Sequence, residues 1–119
     1  MRLSVDQPRA PRPEQTGLSD EKIATILRVI LEDQQREDTN PPEQIILFGS
    51  RAKGTWREGS DIDLALIGSA IKQDDVWRWS ERLEDELFPW SVDCVLIEPT
   101  TNPDIIAHIR RVGIPLHER

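Results

Sequence analysis

Between Gly49 and Leu66 the chain reads GSRAKGTWREGSDIDLAL: a Gly-Ser pair, ten residues, then two aspartates, Asp61 and Asp63, separated by Ile62. Side chains alternate along a strand, so Asp61 and Asp63 project to one face while Ile62, Leu64 and Leu66 project to the other. One face can enter a core while the other holds two carboxylates close together. Like charges that close repel and shift each other's pKa unless something positive intervenes. The usual remedy is a hard divalent cation with oxygen ligands, most often magnesium.

A third carboxylate stands on a different stretch. In VDCVLIE, residues 92–98, alternation puts Asp93, Val95 and Ile97 on one face and Val92, Cys94 and Leu96 on the other. An aspartate there is expensive unless it meets water or a ligand. Three carboxylates on two strands fit a scheme in which two divalent ions, roughly 3.5–4 Å apart, clamp the attacking and leaving oxygens of an in-line displacement. Asp61 and Asp63 would bridge both ions. Asp93 would complete the site of the ion nearer the acceptor and take the proton from its hydroxyl. At the other end of the substrate, Gly49 lets the backbone approach phosphate, a short helix start offers N–H groups, and the Ser50 hydroxyl adds a donor. The chemistry implied is metal-dependent nucleotidyl transfer. Gly49 and Gly54 are spaced as in a Walker A loop, but Thr55 and Trp56 follow where Lys and Ser or Thr are required, so a P-loop is excluded.

Elements that would position these groups can be read around them. Ser19 caps a helix whose first turn holds Asp20 and Glu21, and Ile23, Ile26, Leu27, Ile30 and Leu31 carry it to about Arg36, before Asn40-Pro41-Pro42. Gln44 to Phe48 is a buried strand, Arg51 to Lys53 one helical turn, residues 55–60 a loop, and Asp61 to Ile67 the second strand. Asp74 to Leu87 is an amphipathic helix with Val76, Trp79, Leu83 and Leu87 on one face. Trp77, Trp79 and Trp90 cluster there; core packing is the commoner fate of tryptophan, with stacking on a nucleobase the alternative. After the third strand, Asn102-Pro103-Asp104 starts a last helix through Val112, which Gly113 and Pro115 end. The order predicts an α/β two-layer domain, a small mixed sheet covered by helices, over residues 18–119. Residues 1–17, with three prolines in the first sixteen, are expected to form a flexible tail.

Composition narrows the partners. At 119 residues there is room for one core, and a net charge of −7 argues against a large nucleic-acid footprint. Residues 49–60 nevertheless hold Arg51, Lys53 and Arg57 against Glu58 alone, a local excess suited to a metal-bound triphosphate. By charge and position, Arg51 and Lys53 are candidate triphosphate contacts. A single cysteine excludes an internal disulfide and, with no apolar signal-like start, leads to the expectation of a cytoplasmic protein. With the acids placed, little chain remains to grip an acceptor, so the acceptor is expected on another molecule, and a protein fits the acidic surface.

Gly49-Ser50, ten residues and Asp61-x-Asp63 resemble the signature of the DNA polymerase beta-like nucleotidyltransferase superfamily, and Asp93 matches its third acidic position. Within it, GSRAKG, SDIDLAL and the closing IRRVGIPLHER resemble the minimal nucleotidyltransferases (MNT) of prokaryotic toxin–antitoxin operons. The resemblance spans roughly residues 18–119. It implies the nucleotidyltransferase fold, magnesium, and transfer of a nucleoside monophosphate from ATP or a similar donor with release of pyrophosphate. It further implies a HEPN-family ribonuclease toxin as partner, neutralised by adenylylation of a tyrosine or by complex formation. Two alternatives stand beside this reading: a non-catalytic antitoxin that masks the toxin, and transfer to a small molecule such as an aminoglycoside.

Overall fold

A computed structural model describes residues 2–33 and 41–119. Four strands form one sheet in the order β3-β2-β1-β4: β1 is Gln44–Phe48, β2 Ile62–Ile67, β3 Val92–Leu96 and β4 Ile114–Glu118. β1 runs antiparallel to β2 and β4, and β2 runs parallel to β3, so the sheet is mixed as expected. The helices are α1 (Pro13–Thr16), α2 (Asp20–Leu31), α3 (Gly49–Lys53), α4 (Gln73–Glu86) and α5 (Pro103–Val112).

Strand alternation decides which residues meet which helices. Ile45, Leu47, Ile62, Leu64, Leu66, Val92 and Cys94 face one way and bury against Ile26 and Ile30 of α2 and Val76, Trp79 and Leu83 of α4. The opposite face carries Ile46, Ala65, Ile67 and Ile97 against Ile109 of α5. Asp63 and Asp93 belong to this second face, beyond the end of its apolar cluster. Ser19 caps α2 by accepting from the Lys22 N–H, and Asn102 caps α5 by accepting from the Asp104 N–H.

Four expectations need correction. The first helix ends at Leu31, short of Arg36, and the chain then turns so that buried Asp33 can accept from Trp79 Nε1 and pair with Arg78; the expected continuation and the Asn40 stop fall outside the described residues. Trp77 does not cluster with the other tryptophans: it is exposed on α4, whereas Trp79 is fully buried. The closing residues form β4, a strand absent from the expected order, which stopped at the last helix. Proline is tolerated because β4 is an edge strand and its register slips beside Pro115, between Ile45 and Ile46 of its partner.

The fourth correction concerns the start of the chain. Instead of hanging free, Leu3 and Val5 are buried against Ile46 and Ile109. The Gln44 side-chain amide brackets Leu3, accepting from its N–H at 2.7 Å and donating to its carbonyl at 2.6 Å. Asp6 N–H donates to the Arg110 carbonyl, and Arg9 to the carbonyls of Ala52 and Val112. Burial of this kind stabilises, so Leu3→Ala is expected to cost about 2–3 kcal/mol in a urea melt. A melt identical to wild type would show the segment to be dispensable for stability.

Candidate functional site

β2 delivers Asp63 to the end of the sheet, where its pairing partners are Phe48 on β1 and Asp93 on β3. Parallel pairing in this register places two carboxylates side by side on neighbouring strands, whose backbones run about 4.8 Å apart. Asp61 lies one residue before β2 begins, and the Ile62 N–H donates to the Ser91 carbonyl at 2.9 Å, joining the two strand starts. Asp63 is half-buried, and its carboxyl is pushed up to about 6, first by burial and then by the negative charges of Asp93 and Asp61. All three influences oppose its ionisation, as anticipated from three acids with no positive group among them.

The Gly-Ser turn closes over this cluster. Gly49 adopts φ +75°, and a Cβ there would enter the van der Waals shell of Asp63 Oδ2 and lie 3.1 Å from its Cγ. Glycine is therefore required twice over, for its backbone and for its missing side chain. Ser50 follows in the first turn of α3. The N-cap residue Phe48 makes no side-chain cap, so no capping group claims the N–H groups of that turn.

The two candidate triphosphate contacts fare differently. Arg51 is only 1% exposed and donates to the carbonyls of Ser60 and Thr16, which removes it from the phosphate-facing surface. Lys53 is exposed at the far end of α3, in a groove with Arg9, Arg12 and Gln15, and its charge acts on His108. The structure thus brings together Asp61, Asp63, Asp93, Gly49 and Ser50, and sets Arg51 and Lys53 apart from them.

Among the described residues, no three or more His, Cys, Asp or Glu side chains form a ready-made ion cage. The donor set nevertheless suits magnesium, which binds through one or two carboxylates plus waters and substrate phosphates instead of all-protein cages. The uncompensated charge around Asp63 is the matching observation.

Residues 30–119 match the family described as polymerase beta, nucleotidyltransferase, a span that contains Gly49, Ser50 and all three carboxylates. The chain belongs to the polymerase beta nucleotidyltransferase family. It is similar to the probable protein adenylyltransferase MntA of Haemophilus influenzae (strain ATCC 51907 / DSM 11121 / KW20 / Rd), 31% identical over 109 residues, 88% of this chain and 87% of that protein. Its fold is similar to that in a crystal structure of a toxin–antitoxin with AMP-PNP, with a TM-score of 0.64 and 24% identity over 86% of this chain and 75% of the other. It is also similar to a structure of a tri-AMPylated Shewanella oneidensis HEPN toxin in complex with MNT antitoxin, with a TM-score of 0.61 and 18% identity over 86% and 74%. The mixed sheet and α/β class expected from the order of elements are those of this nucleotidyltransferase.

The reverse face of β3 holds the one cysteine. Cys94 is buried beside α4, and its thiol is pushed up to about 11, chiefly by burial. It stays protonated and points away from the carboxylates. Native protein at pH 8 is expected to resist iodoacetamide and to take one label once unfolded. Rapid native labelling, read by intact mass, would contradict this packing.

Proposed function

We propose that this nucleotidyltransferase moves AMP from magnesium-bound ATP to a tyrosine hydroxyl of a HEPN ribonuclease toxin, and so acts as its antitoxin. One observation carries the reading: Asp61, Asp63 and Asp93 gather on one face at the end of the sheet, under the Gly49-Ser50 turn. Relatives named as a protein adenylyltransferase and as an MNT antitoxin in complex with a HEPN toxin support the donor and partner. The neighbour with AMP-PNP supports ATP.

In this reading Asp61, Asp63 and Asp93 would hold two magnesium ions, which when bound would supply charge neutralisation for the triphosphate and the leaving pyrophosphate. The first-turn N–H groups of α3 and the Ser50 hydroxyl orient the outer phosphates. The acceptor oxygen forms a bond to the α-phosphorus as the bond to the bridging oxygen breaks, and Asp93 takes the hydroxyl proton. β3 is an edge strand and Asp93 is exposed, which leaves room for an acceptor carried by another protein. Among the described residues no helix is long and apolar enough to cross a membrane, and the reading places the protein in the cytoplasm with its toxin.

ATP labelled at the α-phosphorus tests the bond that is made. Label is expected on the toxin with α-labelled but not γ-labelled ATP, with pyrophosphate released. Transfer of γ-label would make the protein a kinase and refute the proposal.

A further inference from the structure

Arg51 is a fully buried cation whose described partners are carbonyls and rings and include no carboxylate. Its Nε and Nη2 donate to the Ser60 carbonyl at 3.2 and 3.1 Å, and Nη1 donates to the Thr16 carbonyl at 3.0 Å. The guanidinium carbon lies 4.3 Å from the centroid of the Trp90 ring and 5.2 Å from that of Trp56. A planar fork held at its edges by carbonyls and flanked by two aromatic rings is a fixed object, since each partner restricts a different direction. Trp56 is itself tied down, its Nε1 donating to the Gln15 carbonyl at 2.9 Å. The fit is tight: a Cβ on Gly17 would come within 2.6 Å of Trp56 Cε2 and 2.7 Å of Arg51 Nη1.

What Arg51 holds is what the site needs held. Ser60 immediately precedes Asp61. Trp90 stands three residues before Asp93, and Arg51 itself follows Gly49-Ser50. Between the two anchors, the Ile62 N–H to Ser91 carbonyl bond zips the strands that carry the acids. The third anchor, Thr16, lies outside the family-matched residues 30–119, so the N-terminal segment is fastened into the same junction.

We propose that Arg51 is a positioning residue for nucleotidyl transfer, clamping the Asp61 loop, the approach to Asp93 and residues 15–16 into one unit. This rests on the function proposed above and deepens it. The clamp keeps the segments that carry three mutually repelling carboxylates together before ions and nucleotide arrive. Arg51 does this without touching substrate.

The test compares Arg51→Lys and Trp56→Leu with wild type and with Leu3→Ala, which loosens the fold away from the clamp. Mn2+ binding without nucleotide is read by the electron paramagnetic resonance of the free ion, and transfer by steady-state kinetics well below each melting temperature. Lysine keeps the charge but cannot reach the Thr16 and Ser60 carbonyls together. Arg51→Lys is expected to weaken Mn2+ binding about 10-fold and lower kcat about 30–100-fold, with KM for ATP changed less than about 3-fold. Trp56→Leu, exposed enough to spare the fold, should show the same pattern at about one tenth the size, and Leu3→Ala should leave kcat unchanged. A rise in KM for ATP with kcat and Mn2+ binding intact would make Arg51 a phosphate contact and overturn the proposal. So would matched losses in Leu3→Ala, or wild-type behaviour of both clamp variants. If wild type binds Mn2+ but transfers nothing, the proposed reaction fails, while weakened Mn2+ binding in the clamp variants still supports positioning.

Discussion

Asp63→Asn is expected to abolish transfer, by about 1,000-fold or more, while making the ligand-free protein more stable above pH 6. Both effects have one cause. The Asp63 carboxyl ionises near 6 in the fold against 3.8 as a free side chain, so the folded state binds its proton more tightly than the unfolded one. Its contribution to stability is therefore most favourable below pH 3.8, declines as pH rises between the two values, and is a constant penalty above 6. Asparagine removes that penalty together with the ion-binding charge. Because Asp63 is half exposed, solvent screening reduces the gain to about 1 kcal/mol, or roughly 3–6 °C in melting temperature at pH 8. The gain should vanish near pH 4. A variant less stable than wild type at pH 8 would mean that Asp63 is compensated in the free protein, and the argument for cation binding would lose its electrostatic support.

Gly49→Ala is expected to cost stability as well as activity. Alanine at φ +75° is strained, and its methyl would push against the Asp63 carboxylate. Either α3 or β2 must shift, at a cost of about 2–4 kcal/mol. A displacement near 1 Å at the reacting centre lowers kcat about 100-fold. Urea melts and steady-state transfer assays at matched folded fraction separate the two losses. Full activity with Gly49→Ala would show that the turn does not set the position of Asp63.

Where one element satisfied itself locally, the sequence was enough. The Asp-Ile-Asp alternation sorted β2 correctly between its two faces, because period two leaves a strand no other choice once one face is buried. Ser19 and Asn102 marked helix starts for the same reason, each capping within three residues. Most of the mistakes involve partners far along the chain. Arg2-Leu3-Ser4-Val5-Asp6 alternates like a strand, but its backbone hydrogen bonds go to the Gln44 side chain and the Arg110 carbonyl rather than into a ladder, and the prolines that follow masked the signal. Pro115 read as a terminator because an edge position cannot be seen before the sheet is assembled. Arg51 read as a phosphate contact because it is a cation beside a glycine turn. Its true partners, Thr16, Ser60 and the rings of Trp56 and Trp90, lie up to 39 positions away, and nothing local announces them.

The central claim is that three carboxylates and a glycine turn transfer AMP to a toxin. Its most direct test is the intact mass of the proposed HEPN partner after incubation with this protein, ATP and magnesium. An increase by one or more AMP units, absent when Asp61→Asn and Asp63→Asn are combined, is the predicted result. An unchanged mass while the double variant still binds and silences the toxin would contradict it, and would make the protein an antitoxin by masking alone.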